Sequence, residues 1–340
     1  MKNNMKILDY TNYYEAVEIL KSGGLVAIPT ETVYGLAANI YDEKAISNIF
    51  VAKGRPSDNP LIVHISNINM IQGLVAKITY QARALADKFW PGPLTIILPK
   101  TDKINSIVSG GLDTVAIRIP KHKMALNIID KLGIPLAAPS ANRSGSPSPT
   151  SAKHVYNDLN GRIDAVVDGG VCEYGVESTV ISFAGDIPII LRPGAVTYEM
   201  IRETIGDVQI DKSVYSKLEI GQKAISPGMK YKHYSPECKV VIVDADAQDY
   251  IEYVNNLLGE DIYAFCYEED IPFLKIPYIS YGSKNNLLEQ SRNLFDRLRY
   301  LDKINAKIVY VHCPKKTGIG LALYNRLLRS AGFEVINIEK

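Results

Sequence analysis

Short apolar runs bounded by glycine and proline alternate along this chain with stretches of helical spacing, first over about two hundred residues and again over about the last hundred. That alternation implies strands and helices packed in α/β layers, once in each part. In the first part, strands are expected at 25–28, 61–65, 94–98, 115–119, 136–138, 165–167, 179–182 and 187–191. Helices are expected at 45–53, 80–89 and 124–132, the first of them stopped by Gly54 and Pro56. Several strand-to-strand links are too short to hold a helix, so the sheet should be mixed, open and twisted, with flanking helices. Residues 203–237 break the pattern. Regular structure resumes with strands expected at 240–243, 262–266 and 308–312 and helices at 247–258, 287–303 and 321–331. Their β-α-β order predicts a smaller, mostly parallel, Rossmann-like second domain. The expected division is 10–204, a connector at 205–237, and 238–340, each domain long enough to bury a core.

Thirty-eight Lys and Arg against 37 Asp and Glu leave a net charge of +1, so no global field draws nucleic acid or membrane to the chain. Any polyanion site must be a local patch. Cys172, Cys238, Cys266 and Cys313 form no C-x-x-C pair, which argues against a structural zinc or a disulfide framework and fits a reducing compartment. His64, His122, His154, His233 and His312 show no metal-ligand spacing, so no protein-held metal is expected. No apolar run approaches the length of a membrane span and the start does not read as a signal peptide, so a cytoplasmic protein is expected.

The segment 53–64, KGRPSDNPLIVH, sets two cations at a helix end before a proline-stiffened loop and an apolar strand. Lys53 and Arg55 at that spacing suit phosphates. PTETVYGL at 29–36 follows the first strand, where its hydroxyls can orient a polar ligand or satisfy their own turn. Arg118 interrupts a buried strand and needs an anionic partner, either a structural carboxylate or that of a ligand. The small, hydroxylic run 137–150 can bring backbone N–H groups and Ser hydroxyls to phosphate oxygens, or be a surface loop. Ser178 and Arg192 each stand at a strand end. His64 in its apolar strand reads more readily as a satisfied core or edge residue than as a catalytic one. The loop 315–320, KKTGIG, reads as a solvated lead into the last helix. No Walker-A motif occurs. The connector stretch 225–236 carries cations and aromatics, unlike a plain linker, and is expected to touch something.

Taken in order, PTETVYGLA (29–37), KGRPSDNPLIVH (53–64), WPGPLTIIL (90–98), VAIRIP (115–120), APSANRSGSPSPT (138–150), ESTV (177–180) and LRPG (191–194) resemble the YrdC-like catalytic domain of the threonylcarbamoyl-AMP synthase family. SPGMKYKHYSP (226–236) resembles the linker of its two-domain form, and GIGLALYNRL (318–327) its second domain. The resemblance implies a nucleotidyltransferase joining L-threonine, bicarbonate and ATP, with Mg²⁺ arriving on ATP, to give threonylcarbamoyl-AMP and pyrophosphate. The product would serve threonylcarbamoyl-adenosine formation beside the anticodon of tRNAs reading ANN codons, through downstream transfer proteins. By the same resemblance Lys53 and Arg55 act on phosphates or carbamate. Arg55, Asn59, Thr114, Ser140, Asn142, Ser148 and Arg192 hold the nucleotide. Thr32, His64, Arg118, Ala138 and Ser178 hold threonine, with Arg118 on its carboxylate; Tyr34 walls the pocket and Tyr234 closes over it.

Three rivals differ in class. A double-stranded RNA-binding module would use the same basic groove with the cation–aromatic run 230–234, and weak tRNA contact is compatible with either role. A carbamoyl-transfer relative from hydrogenase maturation would need acylphosphatase-like and zinc-finger segments absent here. A nucleotide-binding regulator would show no turnover.

Overall fold

The computed structural model describes residues 4–217 and 234–338, so the connector call at 226–233 lies outside the described residues. The first part is built on an 11-stranded sheet. Its order is Lys6–Leu8, Ala165–Val167, Val26–Ile28, Gly35–Asn39, Leu136–Ala137, Ile62–His64, Thr114–Arg118, Leu94–Pro99, Thr179–Ser182, Ile189–Arg192, Gln209–Ile210. Parallel and antiparallel pairings are interleaved, as the short links require: Ile62–His64 lies parallel to Thr114–Arg118 and antiparallel to Leu136–Ala137. The helix Glu43–Lys53 shows its sequence logic directly. Asp42 accepts from Ala45 N at 2.9 Å as N-cap, and Gly54 at φ +63° ends the helix in the left-handed region.

Register decides what meets what. His64 stands opposite Arg118, and Thr179 opposite Leu94. The antiparallel pairing of Leu94–Pro99 with Thr114–Arg118 then brings Arg118, Ser178 and Arg192 to the same end of these neighbouring strands. Ile62 and His64, two residues apart, share a face of the strand. Ile62, Ile97, Ala116, Val180 and Leu191 form an apolar patch there.

The second sheet has five strands, parallel in each pairing, in the order Tyr278–Ser280, Ile262–Cys266, Ile308–His312, Lys239–Asp244, Val335–Asn337. The parallel α/β layering is as expected. The order is not the usual Rossmann one: the strand Ile308–His312 lies between the first two of its domain. The helix Leu287–Lys303, 17 residues and so about 25 Å long, carries the chain back from the outer strand to that inner place.

The two parts share a core. Val33 and Val176 of the first part pack with Val240, Phe295, Leu323 and Leu327 of the second. Arg299 and Asp158 form a mostly buried bidentate pair at 2.8 Å across the same boundary.

Candidate active site

A cleft of about 630 Å³, counted to its open mouth, lies over the shared face of these strands. Thr30, Val33, Gly35, Arg55, Ile62, His64, Arg118, Ala138, Pro139, Ser140, Asn142, Ser146, Ser148, Glu177, Ser178, Arg192 and Tyr234 line it. Of the residues singled out in the sequence, Arg55, His64, Arg118, Ala138, Ser140, Asn142, Ser148, Ser178, Arg192 and Tyr234 converge here, from segments up to about 180 residues apart. Strand register, which no local motif encodes, sets His64 beside Arg118, while Arg55, Ser140, Asn142, Ser148 and Tyr234 arrive on loops.

The polar lining is held in place by the protein's own bonds. Ser140 Oγ donates to Asn142 Oδ1 at 2.6 Å, and the Asn142 amide donates to the carbonyls of Arg143 and Ser146 at 2.8 Å. Arg192 Nε donates to Ser178 O at 3.1 Å and Nη2 to Ser178 Oγ at 3.2 Å, while Ser178 Oγ also meets Thr95 Oγ1 at 2.8 Å. Arg55 Nη2 reaches the carbonyls of Pro60 and Asn59 at 3.2 and 3.4 Å. Tyr234 is 5% exposed, takes φ +64°, and stacks on Phe295 at 5.3 Å between centroids. A tyrosine held in the left-handed region is backbone strain of the kind that collects at ligand sites.

Burial sets the protonation. Desolvation first, and the neighbouring Arg118 charge second, hold His64 down at about 3, so its ring is neutral near pH 7. Its Nδ1 faces Ile62 O at 3.3 Å. Burial lowers Arg192 from its usual value, though a guanidinium stays charged. For Glu177 burial pushes the carboxyl up, but Arg326, Arg192 and a hydrogen bond from Ser148 outweigh it and leave it below the ordinary range. Among the described residues no group of three or more His, Cys, Asp or Glu could hold a metal ion.

Several expectations change. Arg118 is paired with a structural carboxylate: its Nη2 lies 2.8 Å from Glu31 Oε1, with side-chain exposures of 4% and 1%. That contact is off the N–H direction, so attraction between charges holds it rather than a directed hydrogen bond. A guanidinium has five donors, so the pairing leaves others for the cleft. Lys53 does not line the cleft. It is 4% exposed, and its Nζ donates to the carbonyls of Ser140 and Asn142, the latter at 2.8 Å, because the helix end points under the 140–142 loop. Desolvation and the Arg55 charge push it well below the usual lysine range.

Thr32 is fully buried behind the lining; it bonds Thr30 Oγ1 at 2.9 Å, and Thr30 is the residue that reaches the cleft. Tyr34 points away, donating to Gly170 O at 2.7 Å and accepting from Gly169 N at 3.1 Å. Asn59 is fully buried outside the lining, and neither of its amide atoms has a hydrogen-bond partner among the described residues. Thr114 lies outside the lining on the same strand face as Arg118, four residues and so about 13 Å away.

Sequence reasoning also missed residues. Glu177 sat inside a quoted motif without a role, yet it lines the cleft and accepts from Ser148 Oγ. Glu31 was equally in view within PTETVYG, and the buried charge at Arg118 was the signal for it. Arg326, in the last long helix, reaches Glu177 from the second domain. The loop 315–320 does lead into that helix, Ile319–Ser330, but nearly all of the helix is buried.

The chain is similar to known proteins along nearly its whole length. A family profile described as Telomere recombination matches residues 18–194, and one described as Threonylcarbamoyl-AMP synthase, C-terminal domain, matches 196–332. A threonylcarbamoyl-AMP synthase of Bacillus subtilis is 44% identical over 326 residues, covering 95% of this chain and 93% of that one. One from Pyrococcus abyssi is 42% identical over 332 residues, 95% of each. The crystal structure of the Pyrococcus abyssi Sua5 complexed with L-threonine superposes with a TM-score of 0.90 at 39% identity, covering 98% of this chain and 99% of that one.

Proposed function

The chain belongs to the threonylcarbamoyl-AMP synthase family, and we propose that it joins L-threonine, bicarbonate and ATP into threonylcarbamoyl-AMP with release of pyrophosphate. The observation that carries the reading is one cleft in which two arginines and a set of fixed hydroxyls stand beside a neutral histidine and a paired arginine. The Pyrococcus abyssi Sua5, 39% identical over nearly its whole length, is known in complex with L-threonine, which supports the amino-acid half.

The reaction is a nucleotidyl transfer. The threonine nitrogen bonds to the bicarbonate carbon with loss of water. A carbamate oxygen then attacks the α-phosphorus, and the bond to the bridging oxygen breaks to free pyrophosphate. No protein nucleophile is needed, so positioning and charge neutralisation carry the catalysis. Arg55, Ser140, Asn142, Ser148 and Arg192 would hold the nucleotide, with Mg²⁺ entering on the triphosphate as part of the substrate. His64, Arg118, Ala138 and Ser178 would hold threonine. Arg118 would share its charge between Glu31 and the substrate carboxylate. His64 is too weak a base to take a proton at neutral pH; it orients the amine through its free nitrogen. Thr32 acts through Thr30, and Lys53 through the 140–142 loop. Asn59 would act on the nucleotide through Arg55, whose Nη2 donates to its carbonyl, Thr114 would belong to the approach of the triphosphate, and Tyr34 to the wall behind Thr30.

We place the catalytic domain at 10–204, the connector at 205–237 and the second domain at 238–340, with Tyr234 as the connector's closing contact that keeps water from a hydrolysable product. No helix among the described residues is long and apolar enough to cross a membrane. We read the setting as cytoplasmic, with tRNA-modifying transfer proteins downstream.

Incubation with labelled bicarbonate, threonine and ATP tests the reading. An adenylate carrying label from all three, with pyrophosphate, is expected. Pyrophosphate released equally without threonine or without bicarbonate would overturn it.

A further inference from the structure

Among the described residues, Glu177 is the one carboxylate in the lining of a cleft that, on the reading above, must take a triphosphate. It is 5% exposed and Ser148 donates to its Oε1, so it cannot turn to water. Left alone, a charge so placed would repel every phosphate that entered. It is not left alone. Arg326, fully buried on the helix Ile319–Ser330 of the second domain, donates from Nε to Glu177 Oε2 at 2.8 Å and from Nη2 to Glu177 O at 3.3 Å. Its Nη1 donates to Pro193 O and Asn325 Oδ1, both at 2.9 Å. Pro193 directly follows Arg192, and Glu177 directly precedes Ser178, so one guanidinium ties down both backbone segments that present those two lining residues. The Arg326 guanidinium also stands 5.7 Å from the centre of the Tyr234 ring.

We propose that Arg326 is a positioning residue through which the second domain completes the nucleotide pocket: it cancels the charge of Glu177 and fixes Arg192 and Ser178, without touching substrate. The inference rests on the proposed reaction only in naming ATP as the anion. It gives the second domain a function at the site, and it makes that function electrostatic as well as mechanical. A buried pair of this kind is costly to break from one side and cheap to remove whole.

The test uses the full chain and four proteins: wild type, Arg326→Met, Arg326→Lys and the pair Glu177→Gln with Arg326→Met. Each is melted thermally, then titrated calorimetrically with a non-hydrolysable ATP analogue and with L-threonine. Arg326→Met should weaken the analogue by at least about tenfold with a smaller change for threonine, and Arg326→Lys should recover part of the loss. The double variant should regain most of the binding lost in Arg326→Met. Unchanged analogue binding in a folded Arg326→Met overturns the proposal. So does a double variant that binds no better than Arg326→Met, since that outcome assigns Arg326 to packing alone. Should Arg326→Met fail to fold, the double variant decides: analogue binding within about threefold of wild type supports the proposal, and a loss of about tenfold or more overturns it. Because the readout is binding, the result stands apart from turnover. Absence of threonylcarbamoyl-AMP from the wild type would overturn the reaction and leave this measurement interpretable.

Discussion

Lys53 shows how a residue can matter to a site it does not reach. Its buried amine holds the carbonyls of Ser140 and Asn142, and Asn142 lines the cleft. Replacing it with Met leaves those carbonyls without a donor, which should cost about 1–3 kcal/mol of stability and raise the KM for ATP. Urea denaturation with steady-state kinetics reads both. Unchanged stability with a collapsed kcat would instead make Lys53 a group acting directly on phosphate, as the motif suggested. His64 carries a pH signature. Its folded value of about 3 lies below the ordinary 6.5, so between those values the unfolded chain binds more protons than the native one. Its contribution is thus fully present above about pH 6.5 and is lost as pH falls toward 3, a term on the order of 5 kcal/mol. A His64→Gln variant should show a flatter stability profile over that window, and the same slope as wild type would contradict the assignment.

At the scale of elements, turns rather than strands fix the chemistry. Gly194 ends the segment that presents Arg192, and a Cβ there would stand 2.4 Å from Thr179 N and 2.8 Å from Glu177 O. Both are backbone atoms, one at the start of the strand Thr179–Ser182 and one in the loop before it, so neither can step aside. Gly194→Ala should therefore destabilise by about 1–3 kcal/mol and raise the KM for ATP by moving Arg192 off Ser178. A variant that melts and turns over as wild type would show the turn to be slack. Elements with strong punctuation were legible in the sequence: the helix Glu43–Lys53 between Asp42 and Gly54, and the buried strands around Ile62, Val115 and Thr179. The strand Gly35–Asn39 was hidden because its small residues sit within a stretch that reads as a turn, whereas the strand expected at 136–138 is present as Leu136–Ala137. Short edge strands such as Lys6–Leu8 and Gln209–Ile210 owe their form to a neighbour rather than to their own pattern.

Across the whole molecule, the motifs gave residue types, and register with domain docking gave their arrangement. Arg118 announced that a buried charge needed an answer, but no spacing says that Glu31, eighty-seven positions earlier, supplies it. Arg326 was invisible for the same reason, since only the packed structure brings the last helix to Glu177. The net charge of +1 is likewise silent about a cleft whose lining holds Arg55, Arg118 and Arg192. The account's central claim is that an amino acid and a nucleotide lie together in this one hollow. A crystal structure of the chain with L-threonine and a non-hydrolysable ATP analogue tests it most directly. The account predicts both in the cleft between Arg55 and Arg118, with the threonine nitrogen about 5 Å from the α-phosphorus, room for one carboxyl group between them. Threonine and nucleotide bound in separate cavities, or on different faces of the sheet, would contradict it.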